Sequence, residues 1–155
     1  MDKNKALSKA MNICSKQEKC KNDILKKLEQ WQVYPNDYDF IIEALEKEKF
    51  IDEDRYTRFY VNDKFVFNKW GKIKIAYNLK LKNIDTSIVE KYLNEIDNEK
   101  YLESVKELLL AKKKKVKANS EYELKSKLLA FGQSRGFDFD SMYKVIDEVV
   151  NQKPY

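Results

Sequence analysis

Three stretches of the chain space their apolar positions alike: Ile24, Leu28 and Val33; Ile75, Leu79 and Ile84; and Leu128, Gly132 and Phe137. In each, two positions four apart are followed by a third five further on, and the pattern returns about every fifty residues. A polar turn and a second apolar helical stretch follow each time, at 40–45, 88–93 and 142–146. Positions four apart share one face of a helix. Each repeat therefore predicts a small helical unit that buries its apolar face against its own partners, and three helices per repeat account for nine helices in 155 residues. Gly132 is the weak match, because an apolar side chain is expected there. The alternative is a single nine-helix bundle in which the similarity is accidental.

The rest of the chain agrees with helices. Only Gly71, Gly132 and Gly136, with Pro35 and Pro154, interrupt it. Sheet-rich folds need more tight turns than so few glycines supply. Apolar spacing predicts helices over 3–15, 21–30, 37–48, 53–67, 72–82, 98–115, 120–134 and 139–150, with a further one capped by Asp85, Thr86 or Ser87. Pro35 holds Tyr34 extended in a turn. Asp52 is a good N-cap, with Glu53 and Asp54 in the first turn where negative charge suits the helix dipole. Gly136 is placed to end a helix in the left-handed conformation. The fourth helix is expected to turn Tyr56, Phe59, Tyr60 and Val66 or Phe67 inward. The third carries Phe40, Ile41, Ala44, Leu45 and Glu48 at helical offsets, and the ninth uses Met142, Tyr143, Ile146 and Val149. The last few residues are expected to fray.

Several chemistries are missing from the sequence. There is no histidine, hence neither the commonest general base nor the commonest zinc ligand. Cys14 and Cys20 are too few for a structural zinc site, and Cys14 reads as a small buried apolar residue. No phosphate-cradling glycine loop is present. Carboxylates read as solvated partners of lysines at helical spacing, such as Glu43 with Lys47. The expectation is a non-enzymatic protein without a cofactor or a metal. No run approaches the roughly 18 apolar residues of a membrane span. The polar start, Met1 to Lys5, lacks the apolar segment of a secretory signal, so a reducing cytoplasmic setting is expected.

What remains is charge. The net charge is +5, but its distribution says more. From Lys64 to Ile84 there are six lysines and no acid: Lys64, Lys69, Lys72, Lys74, Lys80 and Lys82. A second cluster comprises Lys112, Lys113, Lys114, Lys115 and Lys117. Trp70, Phe65, Phe67 and Tyr77 are interleaved with the first. Rings among lysines are the pattern of single-strand nucleic-acid binders, although rings at helical spacing also serve as core. Lys72, Lys74, Lys80, Lys82, Lys112, Lys113, Lys114, Lys115 and Arg135 are the candidate contacts to a nucleic acid or a filament. Part of the second cluster also suits a helix C-terminus, as does Arg135.

Four segments follow one another in order: Cys20-Lys21-Asn22-Asp23-Ile24-Leu25-Lys26-Lys27-Leu28; Phe50-Ile51-Asp52-Glu53-Asp54-Arg55-Tyr56; Trp70-Gly71-Lys72-Ile73-Lys74-Ile75 with Leu79; and Ser134-Arg135-Gly136-Phe137. Together they resemble the RecX family. Cys20 stands where that family usually has a polar cap. The resemblance spans about Ala6 to Val150. It implies an all-α chain of three tandem three-helix repeats, forming an elongated, curved helical array, with modules at 1–50, 51–97 and 98–155. It also implies a cytoplasmic regulator that binds the RecA recombinase and its nucleoprotein filament, with single- or double-stranded DNA as a further partner, and usually lowers ATPase and strand-exchange activity. Read from the residues alone, the chain is a basic helical repeat protein. On that reading a stand-alone helical DNA-binding module with no recombinase partner stays open.

Overall fold

The computed structural model describes residues 1–152. Among them are nine α-helices, one 3-10 turn and no strand: α1 (Lys3–Lys16), α2 (Lys21–Gln30), the 3-10 turn (Pro35–Asp37), α3 (Tyr38–Lys47), α4 (Glu53–Val66), α5 (Lys72–Leu81), α6 (Thr86–Leu93), α7 (Asn98–Lys113), α8 (Glu121–Ser134) and α9 (Phe139–Asn151). Most starts follow from side-chain caps. Asp52, Asp85, Asp97, Ser120 and Asp138 each accept a bond from an amide in the first turn of the helix they begin. Cys20 caps α2, and its own amide donates to Asp23 Oδ2 at 3.2 Å. The expected fraying of the C-terminal tail lies outside the described residues.

The core is divided into three clusters, one to each set of three helices. The first gathers Ala6, Ala10, Ile24, Leu28, Ile41 and Leu45 from α1–α3. The second gathers Tyr56, Val61, Ile75, Leu79, Val89 and Leu93 from α4–α6, and also takes in Cys20. The third gathers Tyr101, Val105, Leu109, Leu128, Met142 and Ile146 from α7–α9. Partitioning the core in this way leaves a large surface. The chain exposes 10121 Å², against roughly 8200 Å² for a compact monomer of this mass. The chain is thus an elongated tandem array of three-helix units and not a single nine-helix bundle.

The i, i+4, i+9 repeat has a local cause. The first two positions face the core, and the third follows a Schellman turn. Its amide donates back to the carbonyl of the second: Val33 to Leu28 at 3.0 Å, Ile84 to Leu79 at 3.2 Å and Phe137 to Gly132 at 3.0 Å. The residue just before it is left-handed in each case: Gln32 at φ 56°, Asn83 at 61° and Gly136 at 89°. The turn thereby delivers an apolar residue into the same core that its helix faces. Helix α3 ends identically, with Phe50 donating to Leu45 at 2.8 Å after Lys49 at φ 61°. Gly132 keeps its place in the repeat but lacks a side chain because Met142 fills the space. A Cβ on Gly132 would sit 2.3 Å from Met142 Sδ.

Some expected facings are corrected. Phe59, Val66 and Phe67 of the α4 segment are exposed, Phe67 to 74%. Thr57 and Val61 are buried in their place, with Phe65 half-buried. Phe40 is exposed and Ile42 takes the core position; Tyr143 is exposed and Val145 is buried. Phe59, Phe40 and Tyr143 are large rings that lie off the buried stripe, and the smaller β-branched Thr57, Val61, Ile42 and Val145 fill the narrow space between helices. Cys14 is half-buried against the first cluster. The Glu43–Lys47 pair does not occur among the ion pairs of the described residues. Helical pairs form at Glu121–Lys125 (3.5 Å) and Glu123–Lys127 (2.9 Å) instead.

Candidate functional site

Several of the candidate cations meet at one junction, between α5 and the end of α8. The Gly71 amide donates to the Arg135 carbonyl at 2.7 Å, and the Ile73 amide to the Gly136 carbonyl at 3.0 Å. Between them the Lys72 amide donates to the Tyr101 hydroxyl at 3.0 Å. Three of the free amides at the start of α5, those of Gly71, Lys72 and Ile73, are thus satisfied by the third unit. The approach is so close that only glycine fits on either side of the contact. A Cβ on Gly71 would lie 2.3 Å from the Gly136 oxygen, and one on Gly136 would lie 2.2 Å from Lys74 Cβ.

The side chains around this joint are cations resting on rings. Lys72 Nζ lies 4.9 Å from the Tyr101 ring. Lys74 Nζ and Lys64 Nζ lie 4.6 and 5.1 Å from Trp70. Lys112 Nζ and the Arg135 guanidinium lie 4.7 and 5.2 Å from Phe131. Ring faces attract cations and hold long flexible side chains in place. Cations of the second and third units thus rest on three rings on the two sides of the joint. Beneath it, Tyr101 is buried and its hydroxyl donates to Asp138 Oδ1 at 3.4 Å. Burial is the main cause that pushes the Tyr101 pKa up. Burial also works against the Asp138 charge, but bonds from the Ser141 amide and hydroxyl hold its carboxyl below the usual range. Asp138 thus stays charged and fixes the tyrosine.

Other candidates lie elsewhere. Lys82 Nζ lies 2.8 Å from Asp23 Oδ1 of the first unit. Lys113 Nζ donates to the Val149, Val150 and Gln152 carbonyls at 2.9, 2.9 and 2.6 Å, so it closes the C-terminus of α9 and not of its own helix. Lys80, Lys114 and Lys115 are exposed.

A groove that no sequence motif marks lies between α4, α6 and the start of α7. It measures about 620 Å³ and is lined by Phe59, Val66, Tyr92, Ile96, Arg58 and Lys100. Arg58 reaches Glu95 across it, at 3.3 and 3.4 Å. The run of apolar residues around α4 is its only trace in the sequence. Among the described residues no cluster of His, Cys, Asp and Glu is arranged to hold a metal ion, and no helix is long and apolar enough to cross a membrane.

Residues 52–93 match a family model described as RecX, second three-helix domain. Regulatory protein RecX of Clostridium acetobutylicum is 29% identical over 151 residues, covering 95% of this chain and 70% of that one. Regulatory protein RecX of Clostridium tetani is 30% identical over 148 residues, covering 85% of this chain and 68% of that one. A crystal structure of regulatory protein RecX has the same fold, with a TM-score of 0.87 at 23% identity over 94% of this chain and 73% of that one.

Proposed function

The chain belongs to the RecX family of regulatory proteins, and from that premise we propose that it is a non-enzymatic, cytoplasmic modulator that binds the RecA recombinase and its nucleoprotein filament and lowers ATPase and strand exchange. The observation that carries the reading is the set of cations on the two sides of the α5–α8 joint. Lys72 and Lys74 come from one unit and Lys112 and Arg135 from the next, and each rests on a ring beside the joint where the Gly71 amide meets the Arg135 carbonyl. Such an arrangement suits a long polyanionic partner, whose phosphates or acidic side chains repeat along its length. The backbone bonds of the joint keep the two sides in register. We assign the units as modules at 1–50, 51–97 and 98–155. Lys80, Lys114 and Lys115 extend the contact along the array, while Lys82 and Lys113 act mainly as internal ties. Occupying the filament in this way slows subunit turnover and strand entry without making or breaking a covalent bond.

Co-sedimentation tests the reading. The chain is mixed with a recombinase filament and, separately, with bare DNA, at low and moderate salt. Binding to the filament that exceeds binding to bare DNA at both salt concentrations supports it. Salt-sensitive binding to bare DNA alone would support a stand-alone DNA-binding module instead.

A further inference from the structure

Helix α5 is apolar on two sides. Ile75 and Leu79 are fully buried in the second cluster. Ile73, Tyr77 and Leu81 form a second row, four residues apart, and are 58, 61 and 59% exposed. By helical geometry Lys74 and Lys80 flank that outer row, one on each edge. Neither makes an ion pair among the described residues, and no acid lies between Lys64 and Ile84. An exposed apolar row with a basic rim marks a binding face.

We propose that the outer face of α5 docks an amphipathic helix of a partner protein, one whose apolar stripe is edged by Asp or Glu. Two other occupants fit worse. Ile73 and Leu81 are aliphatic and offer no ring face on which bases stack, so a nucleic acid leaves most of the row unused. A second copy of this chain brings lysine against lysine. A helix with apolar residues at i, i+3, i+4 and i+7 covers the row, and its acidic edges meet Lys74 and Lys80. The inference rests on the regulatory reading only in taking a protein as the partner.

The test needs no recombinase, so it fails or succeeds apart from that reading. The full chain, labelled with nitrogen-15, is titrated with three probes: a capped, leucine-rich helical peptide edged with Glu, the same peptide edged with Lys, and an oligothymidylate. The Glu-edged peptide is expected to shift the amides of α5, and the other two are not. Tyr77→Gln with Leu81→Gln, which keeps the charge, weakens that binding at least about tenfold, since two aliphatic or aromatic contacts carry more than that factor. Lys74→Glu with Lys80→Glu turns the preference towards the Lys-edged peptide by at least about tenfold. Circular dichroism confirms that both variants are folded. Undisturbed α5 amides with the Glu-edged peptide, α5 shifts with the oligothymidylate alone, or binding indifferent to both variants would overturn the proposal.

Discussion

The Lys82 ammonium lies 2.8 Å from the Asp23 carboxylate, at the seam between the first and second units. Both groups are largely screened from solvent, and the pair is joined by the neighbouring bond between Asn83 and Asn22 at 3.1 Å. A third tie, Arg55 to Glu18 at 2.9 Å, is more exposed. Side chains therefore hold this seam, whereas backbone amides hold the seam between the second and third units. Lys82→Met or Asp23→Ala is expected to cost about 1–3 kcal/mol, because each leaves a partly buried charge unpaired. A double-mutant cycle on denaturant midpoints checks it, and a coupling below about 0.5 kcal/mol would remove the pair as a tie.

The same pair sets an acid limit. Burial works against the Asp23 charge, but bonds from the Lys82 ammonium and the Cys20 amide hold its carboxyl below the usual carboxylate range. A group whose pKa is lowered by folding adds stability above its unfolded pKa, about 3.9, and loses it as pH falls through the folded value. The wild-type chain is thus expected to lose stability more steeply below about pH 4 than Asp23→Asn does. Thermal melts at stepped pH read the difference, and identical acid limbs would contradict it.

The glycine joint is unforgiving. Gly71→Ala forces a Cβ into the Gly136 carbonyl, which is backbone and cannot rotate away. Gly136→Ala adds strain at φ +89° to a clash with Lys74. Each is expected to destabilise the chain by about 2 kcal/mol or more. Hydrogen exchange should localise the loss to the amides of Gly71, Lys72 and Ile73. Protection unchanged at those three amides would argue that the joint yields elsewhere.

Two Schellman turns carry the wrong residue for their conformation. Gln32 and Lys49 are exposed and left-handed. Gln32→Gly and Lys49→Gly are each expected to stabilise the chain by about 0.5–1 kcal/mol, since glycine pays no Cβ penalty there. A rise of a few degrees in melting temperature checks this; a fall would show that side-chain contacts outweigh the backbone strain.

Helix boundaries were legible in the sequence because their causes are local. Asp52, Asp85 and Ser120 cap through their own side chains, and Gly136 marks a left-handed stop. The repeat was legible too, since its third position is fixed by the turn. Helix facing failed on α4, where Tyr56, Phe59, Tyr60, Phe65, Val66 and Phe67 leave no single clean stripe, and packing against α6 decides between them. The site was legible only as charge. Nothing local tells Lys72, which rests on Tyr101, from Lys82, which is bound to Asp23, or Lys113, bound to the end of α9. Those partners lie in other units or at the far end of the chain.

The recombinase ATPase assay, run without the chain, with it, and with Lys72→Glu/Lys74→Glu, tests the central claim most directly. The wild-type chain is expected to lower the rate, and the variant to lose most of that effect while keeping its helical signal and melting temperature. An ATPase rate that the wild-type chain leaves unaltered at any ratio, or a variant that inhibits as well as wild type, would contradict the account.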